Sequence, residues 1–258
     1  MAETSYVNIP VVCSIGTNDP WNAAGVGLDI RVLAECNVRP VTVIAGIAAQ
    51  DTRGLRASAA VEPALILAQL ESLAGAGIAA YRVGALLDPA SVTAIGEFLA
   101  GVTVPVVWDP VLAPSAGGRF ASEATLAALR SRLLPRASLV MPNLAEAGAL
   151  LGRSVQTVDE MERAARDLVA GGARAALVKG GHLDGDPVDV LFDGARSERF
   201  AGERIAGTMR GTGCVLAAAT AAALARGQSL RDSVIAGRIV LRKKLAGARS
   251  VGELRLAY

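Results

Sequence analysis

Short apolar runs alternate with longer amphipathic segments along almost the whole chain. Runs of roughly four to six aliphatic or β-branched residues predict strands, and longer segments with helical spacing predict helices. The predicted strands are 11–15, 40–47, 80–83, 104–108, 139–141 and 175–178, with a hairpin at 188–192 and 199–204 around Asp193-Gly194. The predicted helices are 27–36, 63–74, 90–100, 122–134, 144–151 and 158–170, and two more close the chain.

This alternation is typical of βαβ units, in which helices connect the parallel strands of one sheet. No composition shift or internal repeat marks a boundary, so residues 1–258 are predicted to form a single α/β domain. In open parallel sheets, ligands bind beyond the carboxyl ends of the strands. The glycines and polar residues that follow the predicted strands are residues 16–24, 49–50, 84–85, 109–110, Asn143, Lys179 and the turn at Gly211. The ligand site is therefore expected among them.

The composition agrees with this fold and narrows the function classes. Hydrophobic residues make up 52% of the chain and aromatic residues only 3%, so an aliphatic core is expected. The net charge of +2 does not favour nucleic acid binding. The cysteines, Cys13, Cys36 and Cys214, form no CxxC pair and predict neither a disulfide framework nor a cysteine zinc site. No secretory leader pattern and no run of membrane-spanning length is found, so a cytoplasmic protein is expected.

A small-residue turn, Arg210-Gly211-Thr212-Gly213-Cys214, precedes a long Ala-rich helical segment. The free N–H groups at a helix start can hold an anion, and small residues allow the turn to be tight. Cys214 falls in the first turn, where a helix dipole favours the thiolate. The alternative is that Cys214 is simply a small buried residue at a helix start.

Acidic and amide residues follow two other predicted strands. Asp109 ends one strand, and Asn143 and Glu146 stand one turn apart at the start of a helix. Together they could hold Mg²⁺ directly or through waters, since Mg²⁺ is usually bound by one or two carboxylates and substrate phosphates. Alternatively, Asn143 and Glu146 form a capping box, and the spacing alone slightly favours that explanation.

Lys179 ends a further strand and precedes Gly180-Gly181-His182. Its point charge there would reach a phosphate, and the alternative is an exposed lysine in a turn. The chain contains no GxxxxGK[ST] segment and no GxGxxG after the first strand. A P-loop site and a dinucleotide-binding fold are therefore not supported.

Taken in chain order, these motifs resemble those of the hydroxymethylpyrimidine/phosphomethylpyrimidine kinase family, in the ribokinase-like superfamily that also holds pyridoxal kinases. The resemblance covers nearly the whole chain. The matching segments are Gly16-Thr17-Asn18-Asp19-Pro20 with Asp29, Ala49-Gln50-Asp51-Thr52-Arg53-Gly54, Arg82-Val83-Gly84-Ala85-Leu86, Val107-Trp108-Asp109-Pro110-Val111, Pro142-Asn143-Leu144-Ala145-Glu146-Ala147, Val178-Lys179-Gly180-Gly181-His182 and Gly211-Thr212-Gly213-Cys214.

The resemblance implies a three-layer ribokinase-like fold around a mostly parallel sheet. It implies a kinase that uses ATP and Mg²⁺ to phosphorylate the hydroxymethyl group, or its phosphate, of a small heteroaromatic alcohol in thiamin biosynthesis. Such chemistry depends on positioning and charge stabilisation more than on covalent catalysis. A homodimer with no nucleic acid or membrane partner is also implied.

The resemblance also implies a role for each matched residue. Cys214 would be the base, and the turn before it would be the anion hole, formed by Gly211, Thr212 and Gly213. The residues near the nucleotide phosphates would be Lys179 and Asn143, with Gly211 and Gly213. The residues facing the metal would be Asp109 and Glu146. The residues lining the substrate side would be Gly16, Trp21, Asp29, Gln50 and Ala85.

Departures from the family pattern lie mainly on the substrate side. The first loop has one extra residue and Trp21, Ala85 stands where the family has Met, and no lysine accompanies Ser115. Arg210 replaces the usual His, and the family's C-terminal GxGxGP segment is not found. Two alternatives therefore stay open. One is the same chemistry on another ring, such as an aminomethyl-furan alcohol or its phosphate. The other is a ligand-binding homologue without catalysis.

Overall fold

The computed structural model describes residues 9–113 and 120–257. Its strands are β1 (Val11–Asn18), β2 (Arg39–Asp51), β3 (Gly54–Ala60), β4 (Ile78–Val83), β5 (Val106–Trp108), β6 (Leu139–Val140), β7 (Ala176–Val178), β8 (Val188–Phe192), β9 (Ser197–Ala201), β10 (Arg249–Val251) and β11 (Leu254–Leu256). Its helices are α1 (Gly25–Glu35), α2 (Pro63–Glu71), α3 (Pro89–Leu99), α4 (Glu123–Ala128), α5 (Leu144–Leu151), α6 (Val158–Ala170), α7 (Thr212–Ala225) and α8 (Leu230–Ala246).

One nine-stranded sheet has the order β3-β2-β1-β4-β5-β6-β7-β8-β9. The six strands from β2 to β7 in that order pair in parallel, and β3, β8 and β9 add antiparallel strands at the two edges. One apolar cluster packs α2 to α6 against one face of the sheet, and a second packs α1, α7 and α8 against the other. The predicted three-layer α/β fold is therefore confirmed.

The Ala-rich helix α7 is buried on all sides, and it runs between the sheet and α8. Every residue from Cys214 to Ala223 is buried, because alanine side chains are short enough for neighbouring elements to approach closely. Helix α8 approaches α7 closely at Gly237, where an added Cβ would lie 2.4 Å from Thr220 Oγ1. This burial holds the first turn of α7, with Cys214, at the carboxyl edge of the parallel strands.

Three parts of the chain differ from the sequence-based prediction. The helix expected at 122–134 ends at Ala128 and continues as one π-helical turn and one 3-10 turn, where Pro135 cannot donate the next helical hydrogen bond. Strand β3 and the β10–β11 hairpin were not predicted, because β3 and β10 are mostly exposed and the alternation in β11 spans only three residues. Ser115 lies outside the described residues.

The described residues contain no helix that combines the length and the apolar character needed to cross a membrane.

Candidate active site

Parallel pairing gathers three chemically important segments at one edge of the sheet. Asp109 follows β5, Asn143 follows β6 and Lys179 follows β7. A backbone bridge joins Asn143 and Lys179, and the Lys179 N–H donates to the Pro142 carbonyl at 2.8 Å. The carboxyl ends of neighbouring parallel strands therefore bring these three predicted site residues together.

Lys179 is the centre of an ion-pair group at this edge. Its Nζ lies 2.5 Å from Asp109 Oδ1 and 3.8 Å from Glu146 Oε2. Burial lowers the pKa of Lys179, but Asp109 and Glu146 raise it more, so the net shift is upward and the ammonium stays charged. Its side chain is still 12% exposed, so an anion can reach it. The alternative of an exposed lysine in a turn is wrong.

Asn143 and Glu146 form the capping box that their spacing slightly favoured. The Asn143 side chain accepts from the Glu146 N–H at 2.9 Å, and Glu146 Oε2 accepts from the Asn143 N–H at 2.7 Å. Burial raises the pKa of Glu146 to about 7, although Lys179 opposes that shift. The capping box holds the Glu146 carboxylate beside Lys179, so the same hydrogen bonds that cap α5 also position Glu146 in the site.

The turn from Gly211 to Cys214 forms the other wall of the site. Gly211 is the N-cap of α7 with φ +75°, and an added Cβ would lie 2.3 Å from the Ala23 carbonyl oxygen, so glycine is required there. A Cβ added to Gly213 would lie 3.0 Å from Lys179 Nζ and 3.4 Å from both Asp109 oxygens. A small cradle therefore separates the α7 N-terminus from Lys179, and its walls are N–H groups and an ammonium.

Cys214 is buried in the first turn of α7, with 6% of its surface exposed. Burial raises the pKa of its thiol to about 11, and Asp109 and Asp29 add to the rise, while Arg82 and the Gly25 N–H oppose it. The thiolate that the start of a helix favours is therefore disfavoured at this buried position. Removal from water outweighs the favourable end of the helix dipole.

Arg82 is the site residue that sequence reasoning missed, although it stands in a motif that the resemblance matched. Its guanidinium is buried between Asp29 and Asp109, with Nε 3.3 Å from Asp29 Oδ2 and Nη2 3.2 Å from Asp109 Oδ2. Gly84 makes room for it, because a Cβ there would overlap Nη1. An arginine inside a buried strand, two residues before a glycine, was the available signal.

The five predicted substrate-side residues are not equally accessible. Gly16 is buried against Gly84, and Asp29 is fully buried beneath the site, where its Oδ2 accepts from Ser14 Oγ at 2.6 Å. Burial raises the pKa of Asp29 to about 6, against the opposing effects of Arg82 and Ser14. Asp29 therefore interacts with the site through its ion pair with Arg82.

The other three substrate-side residues lie nearer the surface. Gln50 lies next to the end of β2 and is 9% exposed, and the Ala85 carbonyl accepts from Thr17 Oγ1 at 3.0 Å. Trp21 is 43% exposed, in a loop that the Asp19 carboxylate organises by accepting from the N–H groups of Trp21 and Ala23. Within the described ranges, no hydrogen bond or ion pair joins Trp21 or Gln50 to the Lys179 group.

Arg210 connects the two sides of the site. Its Nη2 donates to the Asp51 carbonyl at 2.6 Å, and its backbone N–H donates to the Arg255 carbonyl at 3.2 Å. The bond to Asp51 ties the turn before α7 to the β2–β3 turn that follows Gln50. Nη1 is buried and has no hydrogen-bond partner among the described residues.

The donor set fits a nucleotide phosphate with Mg²⁺. The cradle at Gly213 would be filled by a single Cβ, and it faces both an ammonium and the N-terminus of α7. No group of three or more His, Cys, Asp or Glu in the described part of the chain could hold a metal alone. Asp109 and Glu146 are only two carboxylates, which fits Mg²⁺ that takes its other ligands from water and phosphate.

The chain is similar to known kinases in both sequence and fold. The phosphomethylpyrimidine kinase family model matches residues 19–256. The chain is 37% identical to the hydroxymethylpyrimidine/phosphomethylpyrimidine kinase of Escherichia coli over 91% of this chain and 90% of that protein. It is 34% identical to the corresponding kinase of Streptomyces coelicolor over 92% and 89%. The ADP complex of Bacillus subtilis pyridoxal kinase superposes with a TM-score of 0.90 and 27% identity, over 96% of this chain and 97% of that one.

Proposed function

The chain belongs to the phosphomethylpyrimidine kinase family, and on that premise we propose that it transfers the γ-phosphoryl group of ATP to hydroxymethylpyrimidine or its phosphate. The reaction would serve thiamin biosynthesis, as the family resemblance implies. The observation that carries the proposal is the cradle at Gly213, where the α7 N-terminus approaches Lys179 so closely that an added Cβ would lie 3.0 Å from Lys179 Nζ. We infer that residues 1–258 act as one kinase domain.

The main contribution of this cradle to the reaction would be charge stabilisation. The N–H groups of Gly211, Thr212 and Gly213 would hold the transferring phosphoryl group, which carries its charge on its outer oxygens. Lys179 would bind the nucleotide phosphates with Asn143, and the capping box of Asn143 would hold Glu146 beside Lys179. ADP bound to the similar pyridoxal kinase supports a nucleotide at this fold's site.

Asp109 and Glu146 would hold Mg²⁺ through its waters, since Arg82 and Lys179 already occupy both Asp109 oxygens. When bound, the ion supplies positive charge to the phosphates. The residues of this chain keep the two carboxylates apart from bulk solvent, because Asp109 is 1% exposed and Glu146 is 8% exposed.

Cys214 would take the proton of the acceptor hydroxyl. Since burial raises the pKa of this thiol to about 11, only a small fraction is thiolate near neutrality. The acceptor ring would lie towards Gly16, Gln50 and Ala85, with the exposed Trp21 at the entrance. We also propose a cytoplasmic homodimer whose partners are small molecules, without nucleic acid or membrane binding.

A second substrate class has support from particular residues. Ala85 is smaller than the Met that the family has at this position, and the exposed Trp21 would add an indole at the entrance to the acceptor site. A differently shaped ring, such as an aminomethyl-furan alcohol or its phosphate, would fit such a change. Steady-state kinetics on hydroxymethylpyrimidine and a panel of hydroxymethyl heteroaromatics separates the two. If the pyrimidine gives by far the highest kcat/KM, the altered-ring proposal is wrong.

The non-catalytic alternative is tested with the same protein. The group formed by Asp109, Glu146, Lys179 and Cys214 argues for catalysis, because a ligand-binding homologue needs no buried base beside an anion cradle. Binding of acceptor and ATP without ADP release, for every alcohol in the panel, would establish the binding homologue.

A further inference from the structure

Arg204 holds the loop that follows Lys179, residues 180–187, which leads from β7 to β8. Its side chain donates to three backbone carbonyls of this loop: Nε to Gly185 at 2.6 Å, Nη1 to Gly181 at 3.0 Å and Nη2 to Leu183 at 2.5 Å. Its backbone N–H donates to Asp186 Oδ1 at 2.9 Å. Four hydrogen bonds from one residue therefore fix alternate carbonyls and one side chain of the loop.

The loop has little regular structure that could hold it without Arg204. Residues 180–187 lie between two strands, and most of them are exposed. One turn closes the start of the loop, where the Leu183 N–H donates to the Gly180 carbonyl at 3.0 Å. The Gly180 N–H donates to the buried Asp189 carboxylate of β8 at 2.9 Å, so this start is fixed from the protein interior. The exposed part, residues 181–186, depends on the bonds to Arg204, because segments with few buried contacts open easily.

Arg204 also connects this loop to the segment that enters the turn at Gly211. It lies between β9 and α7, in the segment 202–211 that ends at Gly211, the N-cap of α7. Lys179 precedes the loop and faces the α7 N-terminus across the cradle, 3.0 Å from a Cβ added to Gly213. The hydrogen bonds of Arg204 therefore join the two chain segments that adjoin the opposite walls of the cradle.

Building on the kinase function proposed above, we propose that Arg204 is a positioning residue that holds loop 180–187 in the conformation that binds the nucleotide. The loop begins after Lys179, the proposed phosphate-binding residue, so its conformation sets one boundary of the nucleotide site. A loop that is ordered beforehand loses less conformational entropy when the nucleotide binds. Arginine suits this role because its planar guanidinium presents N–H groups in several directions, whereas a lysine ammonium is a compact point charge.

The chain offers matched variants for a test. Arg204→Met removes the guanidinium at similar length, and Arg204→Lys keeps the positive charge without the planar fork. Arg242→Met is the control, because Arg242 Nη1 of α8 donates to the Glu203 carbonyl at 2.8 Å and so holds the neighbouring residue of the same segment. Arg204 is exposed, so its variants are expected to fold, with melting temperatures within about 3 °C of the parent protein.

The first readout needs no kinase activity. ADP affinity is measured by titration calorimetry, and both Arg204 variants are expected to bind ADP about tenfold more weakly, whereas Arg242→Met is expected to match the parent protein. The loop itself is observed through His182, the only histidine of the chain, which lies between the held carbonyls of Gly181 and Leu183. In untagged Arg204→Met, the ring-proton NMR resonance of His182 is expected to sharpen and to approach the chemical shift of an unfolded peptide.

The second readout is the split between KM and kcat with Mg²⁺-ATP and a hydroxymethyl acceptor. Loss of the Arg204 bonds is expected to raise the KM for ATP about tenfold, while kcat at saturating ATP and the acceptor KM stay within about threefold. Parent-like ADP affinity in Arg204→Met or Arg204→Lys, or an equal loss in Arg242→Met, would overturn the proposal. An absence of ADP release by the parent protein would refute the kinase function, while the ADP titration would still decide the role of Arg204. A parent protein that does not bind ADP would refute both.

Discussion

Gly213→Ala is expected to separate activity from stability, because its methyl group would occupy the proposed phosphoryl cradle. The added Cβ would lie 3.0 Å from Lys179 Nζ and 3.4 Å from both Asp109 oxygens. A phosphoryl oxygen bound to Lys179 would lie roughly 2.8 Å from the same Nζ, so the methyl group and the oxygen compete for one space. Loss of one such anion-hole contact lowers kcat by about 10²-fold, or about 2.7 kcal/mol.

The fold itself should tolerate this change. Gly213 has no positive φ, and alanine stabilises a helix relative to glycine by up to about 1 kcal/mol. The nearest atom, Lys179 Nζ, is the end of a flexible side chain. The melting temperature is therefore expected to change by no more than about 3 °C.

The assay is ADP release under saturating Mg²⁺-ATP and hydroxymethylpyrimidine, together with a thermal melt. Gly181→Ala is the matched control, since a Cβ there meets nothing within 4 Å and φ is not positive. The control is expected to keep both kcat and melting temperature. If Gly213→Ala keeps the parent kcat, the transferring group does not pass through this cradle.

Three further results are expected. Because burial raises the pKa of Cys214 to about 11, kcat/KM for the alcohol should rise about tenfold per pH unit from pH 7 to 9, and a plateau near pH 7 would contradict a base with that pKa. Arg210→Ala removes the 2.6 Å bond to the Asp51 carbonyl and should raise the acceptor KM about tenfold with little change in the KM for ATP; equal increases in both would argue against a substrate-side role. Gly84→Ala forces the Arg82 guanidinium out of its place and should lower the free energy of unfolding by about 3 kcal/mol in a denaturant titration. An unchanged midpoint would show that Arg82, Asp29 and Asp109 can rearrange freely.

The regular parts of the fold could be predicted from the sequence because their hydrophobic periods are strong. Helices α5 and α6 begin and end where the pattern places them, and the carboxyl-edge rule brings Asp109, Asn143 and Lys179 together as expected. Most residues of β3 are exposed and several are alanines, so the strand lacks the alternation of apolar and polar residues that predicts a buried face. Its pairing with β2 depends on the tertiary fold.

The sequence predicts the site less well where burial sets the pKa of a side chain or where its partners are distant in the chain. A helix start favours a thiolate, yet nothing in the sequence shows that Cys214 is removed from water among two carboxylates. The role of Arg82 depends on long-range contacts, because its partners lie 53 residues upstream at Asp29 and 27 residues downstream at Asp109. The role of Arg210 also depends on a long-range contact, since Asp51 is 159 positions away.

The most direct test of the proposed function is the rate of ADP release with Mg²⁺-ATP and hydroxymethylpyrimidine, for the parent protein and for Cys214→Ala. The parent protein is expected to turn over, and the variant is expected to lose about 10²–10⁴-fold of kcat while it still binds ATP. If the parent protein binds the alcohol but releases no ADP with any acceptor in the panel, the chain is not a kinase. If Cys214→Ala turns over at the parent rate, Cys214 is not the base.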